Sequence, residues 1–118
     1  MTCVTANISE CDFKTQLDET LEIIAFDFDF TLQDLCRAMG ISRTSLYRKI
    51  KECAGVSISI YIRTFRLNKA LELLQTTNQS IGDIAYEVGF SNIAYFSRSF
   101  KAEFGESATA IRQKANSE

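Results

Sequence analysis

Histidine and proline are both absent from the 118 residues, and glycine occurs only five times. Without histidine the chain lacks the side chain most often used as a general base near neutral pH and as a metal ligand. The four cysteines (Cys3, Cys11, Cys36 and Cys53) show no C-x-x-C spacing, so no zinc site of the usual kind is spelled out. Cys36 and Cys53 fall at apolar helix positions, where a reduced cysteine acts as a small hydrophobe, and all four read as free thiols. A glycine-rich phosphate loop and a nucleophile with an adjacent base are missing as well. Together these absences argue against an enzyme, and no cofactor or metal is expected. No apolar run approaches the roughly 20 residues a membrane span needs. The N-terminus does not show the basic-then-apolar order of a secretion signal. A cytoplasmic protein without membrane contact is the expectation. The hydrophobic content of 46% is that of a folded globular chain, and the length suits a single domain with one core or two small ones.

The formal net charge of −2 hides an asymmetry. Residues 1–34 hold one base (Lys14) and eight acids, a balance of −7, whereas residues 35–118 hold twelve bases and seven acids, a balance of +5. Most of the acids read as a solvated helix face. The basic remainder is the part suited to phosphate.

One stretch, residues 80–101, organises the chain. Ser80 followed by Asp83 is a helix start, with a hydroxyl and a carboxylate for the first unpaired amides. Ile81, Ile84, Ala85 and Val88 then recur at i, i+3, i+4 and i+7, one apolar stripe. Gly89 stands where a helix ends in a left-handed residue. Ser91 or Asn92 restarts a helix whose buried face is Phe96, Phe100 and Phe104. A second copy lies upstream: Thr31 and Asp34 start it, Leu32, Leu35, Cys36 and Met39 form the stripe, and Gly40 matches Gly89 at an offset of 49. Beyond the turn the offset is 50, pairing Leu46 with Phe96, Arg48 with Arg98, Ile50 with Phe100 and Lys51 with Lys101. The second turn therefore has one extra residue. Two copies of cap, stripe, glycine, cap and stripe describe a duplicated helix-turn-helix, not a solenoid.

The segments 84–91, 95–101 and 104–107, together with 42–51 and Tyr61-Ile62-Arg63, resemble the AraC/XylS family of bacterial transcription regulators, over roughly residues 12–114. The resemblance implies an all-α domain of about seven helices, two helix-turn-helix subdomains joined by a long linker helix. It implies double-stranded DNA as the partner, with two recognition helices in successive major grooves, and RNA polymerase as a protein partner. A sensor or receiver domain elsewhere in a larger protein, in the manner of a hybrid two-component regulator, would supply the input. The family commonly places proline directly after the serine in both halves; here Ile58 and Ala108 occupy those positions. Proline suits the first helical residue without being required, so either position is expected to accept it.

In chain order, residues 1–11 read as a flexible leader and 12–57 as the first subdomain, whose opening helix carries Phe13, Leu17, Leu21, Ile24 and Phe28. Residues 58–75 form the linker helix, with Ile62, Phe65, Ala70, Leu71 and Leu74 inward and Arg63, Arg66 and Lys69 outward. Residues 76–114 form the second subdomain and 115–118 a tail. On the first recognition helix the candidate DNA contacts are Ser42, Arg43, Thr44, Tyr47, Arg48 and Lys51. On the second they are Ser91, Asn92, Ile93, Ala94, Tyr95, Ser97, Arg98 and Lys101. Arginine can donate two hydrogen bonds to a guanine edge, while the only specific major-groove partner for Ile93 and Ala94 is the thymine methyl. The serines and lysines, Lys49 included, are candidates for phosphate. A protein-binding helical module with weak or lost DNA affinity is the alternative, motivated by the acidic N-terminal third and the apolar start of the second recognition helix.

Overall fold

The computed structural model describes residues 10–27 and 29–116. Among them it contains seven helices and no strand: α1 (Glu10–Ile24), α2 (Leu32–Met39), α3 (Arg43–Ala54), α4 (Ile58–Thr76), α5 (Ile81–Glu87), α6 (Ile93–Phe104) and α7 (Ala108–Asn116). Residues 1–9 of the expected leader, 117–118 of the expected tail and Phe28 lie outside the described residues. The remainder of the leader and tail is helical. α1 starts at Glu10. α7 runs to Asn116, tied by the Lys114–Glu106 ion pair at 2.6 Å.

The caps follow the sequence closely. Thr31 and Asp34 form a reciprocal capping box on α2, with the Asp34 amide donating to Thr31 at 3.2 Å and the Thr31 amide to Asp34 at 3.0 Å. Ser42, Ser57 and Ser80 each accept an amide from three residues on. The α5–α6 turn restarts at Asn92, whose Oδ1 accepts the Tyr95 amide at 2.9 Å. Ser91 is thus the extra residue of the second turn. Both turns close in the same way. The amide of Gly40 donates to Arg37 and that of Ile41 to Cys36; the amide of Gly89 donates to Tyr86 and that of Phe90 to Ala85. This paired bonding around a left-handed glycine (φ +70° and +100°) satisfies carbonyls that a helix end leaves open.

Two clusters of buried side chains form the interior. The first joins Phe13, Leu17 and Leu21 of α1 to Leu35, Met39, Leu46 and Ile50, and the second is built around Ile84, Val88, Phe90, Phe96 and Phe100. The α6 rings follow one another at 5.7 Å (Phe96–Phe100) and 4.6 Å (Phe100–Phe104). α4 serves both clusters: Ile58 and Ile62 enter the first, whereas Leu67, Ala70, Leu73 and Leu74 enter the second. Phe65 and Leu71, expected inward, are half-buried. A helix that changes its buried face partway shows no single apolar stripe, so the sequence pattern does not mark Ile58, Leu67 and Leu73 as inward. The C-terminal end of α4 is held by α7, where Arg112 donates to the carbonyls of Thr77 (3.0 Å), Leu74 (3.5 Å) and Gln79.

Two of the linker residues expected to point outward do not lie free. Lys69 bridges Glu22 of α1 and Glu72 of its own helix. Arg66 turns inward, its Nε donating to the Ala25 carbonyl at 2.7 Å and its guanidinium 5.6 Å from the Phe30 ring. The carbonyl just past the end of α1 needs a donor, and Arg66 supplies it; burial lowers the arginine's pKa from its ordinary value. The same guanidinium lies against Gly89, where an added Cβ would stand 2.9 Å from Nε and 3.2 Å from the Ala25 oxygen. Nearby Phe26, packed on the second cluster, stacks on Phe65 of the first at 5.6 Å. This joint locks the two halves together.

Gly89→Ala should therefore cost about 2–3 kcal/mol, left-handed strain plus displacement of Arg66. Gly55→Ala, with φ +76° and nothing within 4 Å, should cost only about 1 kcal/mol. Chemical denaturation of both variants measures the difference. The two proline positions also separate. Both residues are buried, Ala108 at 5% and Ile58 at 4% exposure, but Ala108→Pro removes no methyl group from its cluster and should be neutral or stabilising by up to about 1 kcal/mol. Ile58→Pro should lose about 1–2 kcal/mol with its buried methyl groups, which thermal melts would show.

Candidate nucleic-acid interface

α3 and α6 begin alike and expose the same register. On α3, Arg43, Thr44, Tyr47, Arg48 and Lys51 are exposed, while Leu46 and Ile50 are fully buried. On α6, Ile93, Ala94, Ser97, Arg98 and Lys101 are exposed at the equivalent positions, with Phe96 and Phe100 buried. Spacing of i, i+1, i+4, i+5 and i+8 keeps each set on one side of its helix. Two candidates are engaged as caps: Ser42 Oγ accepts the Ser45 amide and donates to Ser45 Oγ, and Asn92 Oδ1 holds the Tyr95 amide. Ser91 is exposed beside them.

Two further residues sit differently from the simple outward picture. Ile93 is 41% exposed, but its Cδ1 lies 3.2 Å from where a Cβ on Gly82 would be. It leans back onto α5, while Ala94 beside it is also exposed. Tyr95 turns toward the linker helix. Its ring lies 5.9 Å from Phe90, and Arg63 of α4 donates to its hydroxyl at 3.3 Å. Hydrogen bonding from Arg63, with smaller contributions from Ser99 and the Arg98 charge, lowers the Tyr95 pKa from the usual tyrosine value. Lys49 lies over the Phe13 ring at 5.6 Å and covers α1, away from the recognition face.

The cations divide by position. Away from the two recognition faces Lys14 pairs with Asp18, Arg37 with Asp34, Lys69 with Glu22 and Glu72, and Lys114 with Glu106, while Arg66 and Arg112 donate to carbonyls, Arg63 donates to the Tyr95 hydroxyl and Lys49 lies over the Phe13 ring. Among the described residues, Arg43, Arg48, Lys51, Arg98 and Lys101 form no ion pair. Unpaired cations repeated in register on two exposed helix faces are the arrangement that phosphates and guanine edges can use. The exposed acids Asp12, Glu19, Glu22, Asp27 and Asp29 sit on α1 and the loop after it.

Two helix-turn-helix units sharing one linker helix define a class, the double helix-turn-helix DNA-binding domains. The family described as Helix-turn-helix domain matches residues 35–114. The chain belongs to this family, the AraC/XylS group of transcription regulators. It is 42% identical over 85 residues to the HTH-type transcriptional activator RhaR of Pectobacterium carotovorum, covering 72% of this chain and 30% of that relative. It is 31% identical over 97 residues to histidine kinase P4 of Formosa agariphila, covering 82% of this chain and 6% of the kinase. The chain thus spans a minor part of these relatives. Among solved structures it is similar to the C-terminal domain of the two-component response regulator yesN from Fusobacterium nucleatum (29% identity, 86% of this chain and 98% of that one, TM-score 0.74). The DNA-binding domain of AdpA, solved with a target DNA, shares the fold at 24% identity and TM-score 0.74, over 86% of this chain and 93% of that one. Among the described residues no helix is long and apolar enough to cross a membrane.

The tyrosines give a test of the Arg63–Tyr95 contact. Burial, then a 2.5 Å hydrogen bond to Asp18, pushes Tyr61 up to about 12, while Tyr95 is lowered. An ultraviolet phenolate titration should show Tyr95 ionising before Tyr61, with assignments from the two Tyr→Phe variants. Arg63→Gln should move the Tyr95 step upward and leave the Tyr61 step in place.

Proposed function

We propose that the chain binds double-stranded DNA sequence-specifically, with α3 and α6 in successive major-groove segments on one side of the duplex. In this reading it is the output domain of a larger cytoplasmic sensor-regulator that acts on RNA polymerase, and it carries no catalytic chemistry. The observation that carries the proposal is the sorting of cations. Those on the exposed faces of α3 and α6 stay unpaired in matching register, whereas elsewhere Lys14, Arg37, Lys69 and Lys114 are paired with acids and Arg66 and Arg112 donate to carbonyls. At about 1.5 Å per residue the 19 residues of α4 span about 28 Å, comparable with the roughly 34 Å turn of B-DNA.

Arg43, Thr44, Tyr47 and Arg48 would read base edges from α3, and Ala94, Ile93 and Arg98 from α6; Lys51, Ser91, Ser97 and Lys101 would hold phosphates. The two helices then read unlike boxes, one polar and guanine-containing, the other with a thymine methyl against Ala94. The kinase and response-regulator relatives support a two-component context, and the protein-binding alternative keeps its motive in the half-exposed Ile93 and Tyr95.

Fluorescence anisotropy on a duplex selected by the chain itself decides between them. DNA binding requires affinity to fall steeply with salt as counterions are released; a protein-only module shows no such slope. Arg48→Ala and Arg98→Ala should each weaken binding by about 1–3 kcal/mol. Parent-like binding by both variants would remove the recognition faces from the interface.

A further inference from the structure

We propose that the linker helix is itself a DNA-binding element, in which Arg63, together with Ser59 and Tyr95, seats a backbone phosphate of the duplex stretch between the two major-groove segments. The proposal rests on the DNA-binding reading and adds a third, central contact to it.

The geometry begins with continuity. Tyr47 and Lys51 of α3 share a surface groove with Ser57 and Ser59 at the start of α4. Ser59 also lines the next groove, which runs past Arg63 and Arg66 to Asn92 and Tyr95. Arg63 and Tyr95 in turn line the groove beside Arg98. One trough therefore crosses α4 from the first recognition helix to the second. DNA that occupied both recognition faces would have to pass over it.

The trough is lined mainly by donors. Lys51, Arg63, Arg66 and Arg98 contribute positive charge, and Glu103 is the acid among its lining residues. Ser59 and Arg63 stand at i and i+4, so they share one side of α4. Arg63 forms no ion pair among the described residues, and its single long bond to the Tyr95 hydroxyl leaves most of its five N–H groups available. By donating to the Tyr95 oxygen, Arg63 leaves the phenol O–H to act as a donor in its turn. A guanidinium fork beside two hydroxyls matches an acceptor-only group, and a phosphate diester is that group. The opposite flank of α4 is less suited to DNA, since the groove there is lined by Asp18, Glu22 and Glu72, which engage its two lysines, Lys14 and Lys69, in ion pairs. Charge thus selects which flank of the linker faces the duplex.

The test uses the 118-residue chain and a duplex selected by it. The salt dependence of affinity is compared for the parent, Arg63→Gln and Arg63→Lys, with thermal melts verifying that each variant folds. Loss of one phosphate contact should reduce the slope of log K against log salt by about 0.9. Arg63→Gln should show that reduction and bind about 3–10-fold more weakly, equally for any base sequence in the spacer. Arg63→Lys keeps the charge and should keep the slope. Methylphosphonate, which neutralises one phosphate at a time, is then walked along the spacer. At the contacted position it should weaken the parent and leave Arg63→Gln unaffected. A full salt slope in a folded Arg63→Gln, or a spacer in which no methylphosphonate matters, overturns the proposal while leaving binding by α3 and α6 intact. If the parent binds no duplex at all, the DNA-binding reading falls, and this inference falls with it.

Discussion

The contact on which the arrangement depends is that of the Arg66 guanidinium with the Ala25 carbonyl, pressed beneath Gly89. Three segments meet there: the end of α1 from the first half, the middle of the linker helix, and the turn of the second helix-turn-helix. A half-buried cation is costly unless its hydrogen bonds are met, and here it meets a carbonyl that a helix terminus leaves open. Glycine is needed at 89 for two reasons at once, since the backbone is left-handed and a side chain would strike both partners of the bond. Together with the Phe26–Phe65 stack, this joint ties the half that carries α3 to the half that carries α6. A rigid pair can match two groove segments only when their spacing is right, and so the joint sets a geometric requirement on the DNA.

Much of this was legible in the sequence where cause and effect are local. Caps, left-handed glycines and the apolar stripes of the two repeats depend on residues within a turn or two of each other, and Thr31, Ser57, Ser80, Gly40 and Gly89 behave as their spacing predicts. The recognition faces could be placed by phasing each helix on its buried phenylalanines or aliphatics. What escaped was long-range. Arg66 reads as an outward arginine on a rod, because nothing near it in sequence reveals that Ala25 lies 41 positions away with an open carbonyl. Nothing near Arg112 in sequence reveals that it closes the C-terminus of α4 across a separation of 35. Tyr95 falls on the exposed side by periodicity, yet its hydroxyl is drawn to α4 by an arginine on another element.

The duplication is also less symmetric than its register suggests. A side chain at Gly40 would meet nothing within 4 Å, whereas one at Gly89 would meet the Arg66 guanidinium and the Ala25 carbonyl. The second turn carries the additional Ser91 and changes its cap from serine to asparagine. Sequence drift in the second turn is therefore held to what the joint will accommodate, while the first turn answers only to its own backbone.

The separation of charge has a kinetic consequence. Acids gather on α1 and the loop after it, and unpaired bases gather on α3 and α6. Such a molecule carries a permanent dipole. In the field of a polyanion it would rotate before touching, turning its basic side toward the surface and its acidic side away. Collisions are then biased toward the pose in which the groove-reading helices arrive first. The acidic α1 would shorten the search by making the wrong approach repulsive.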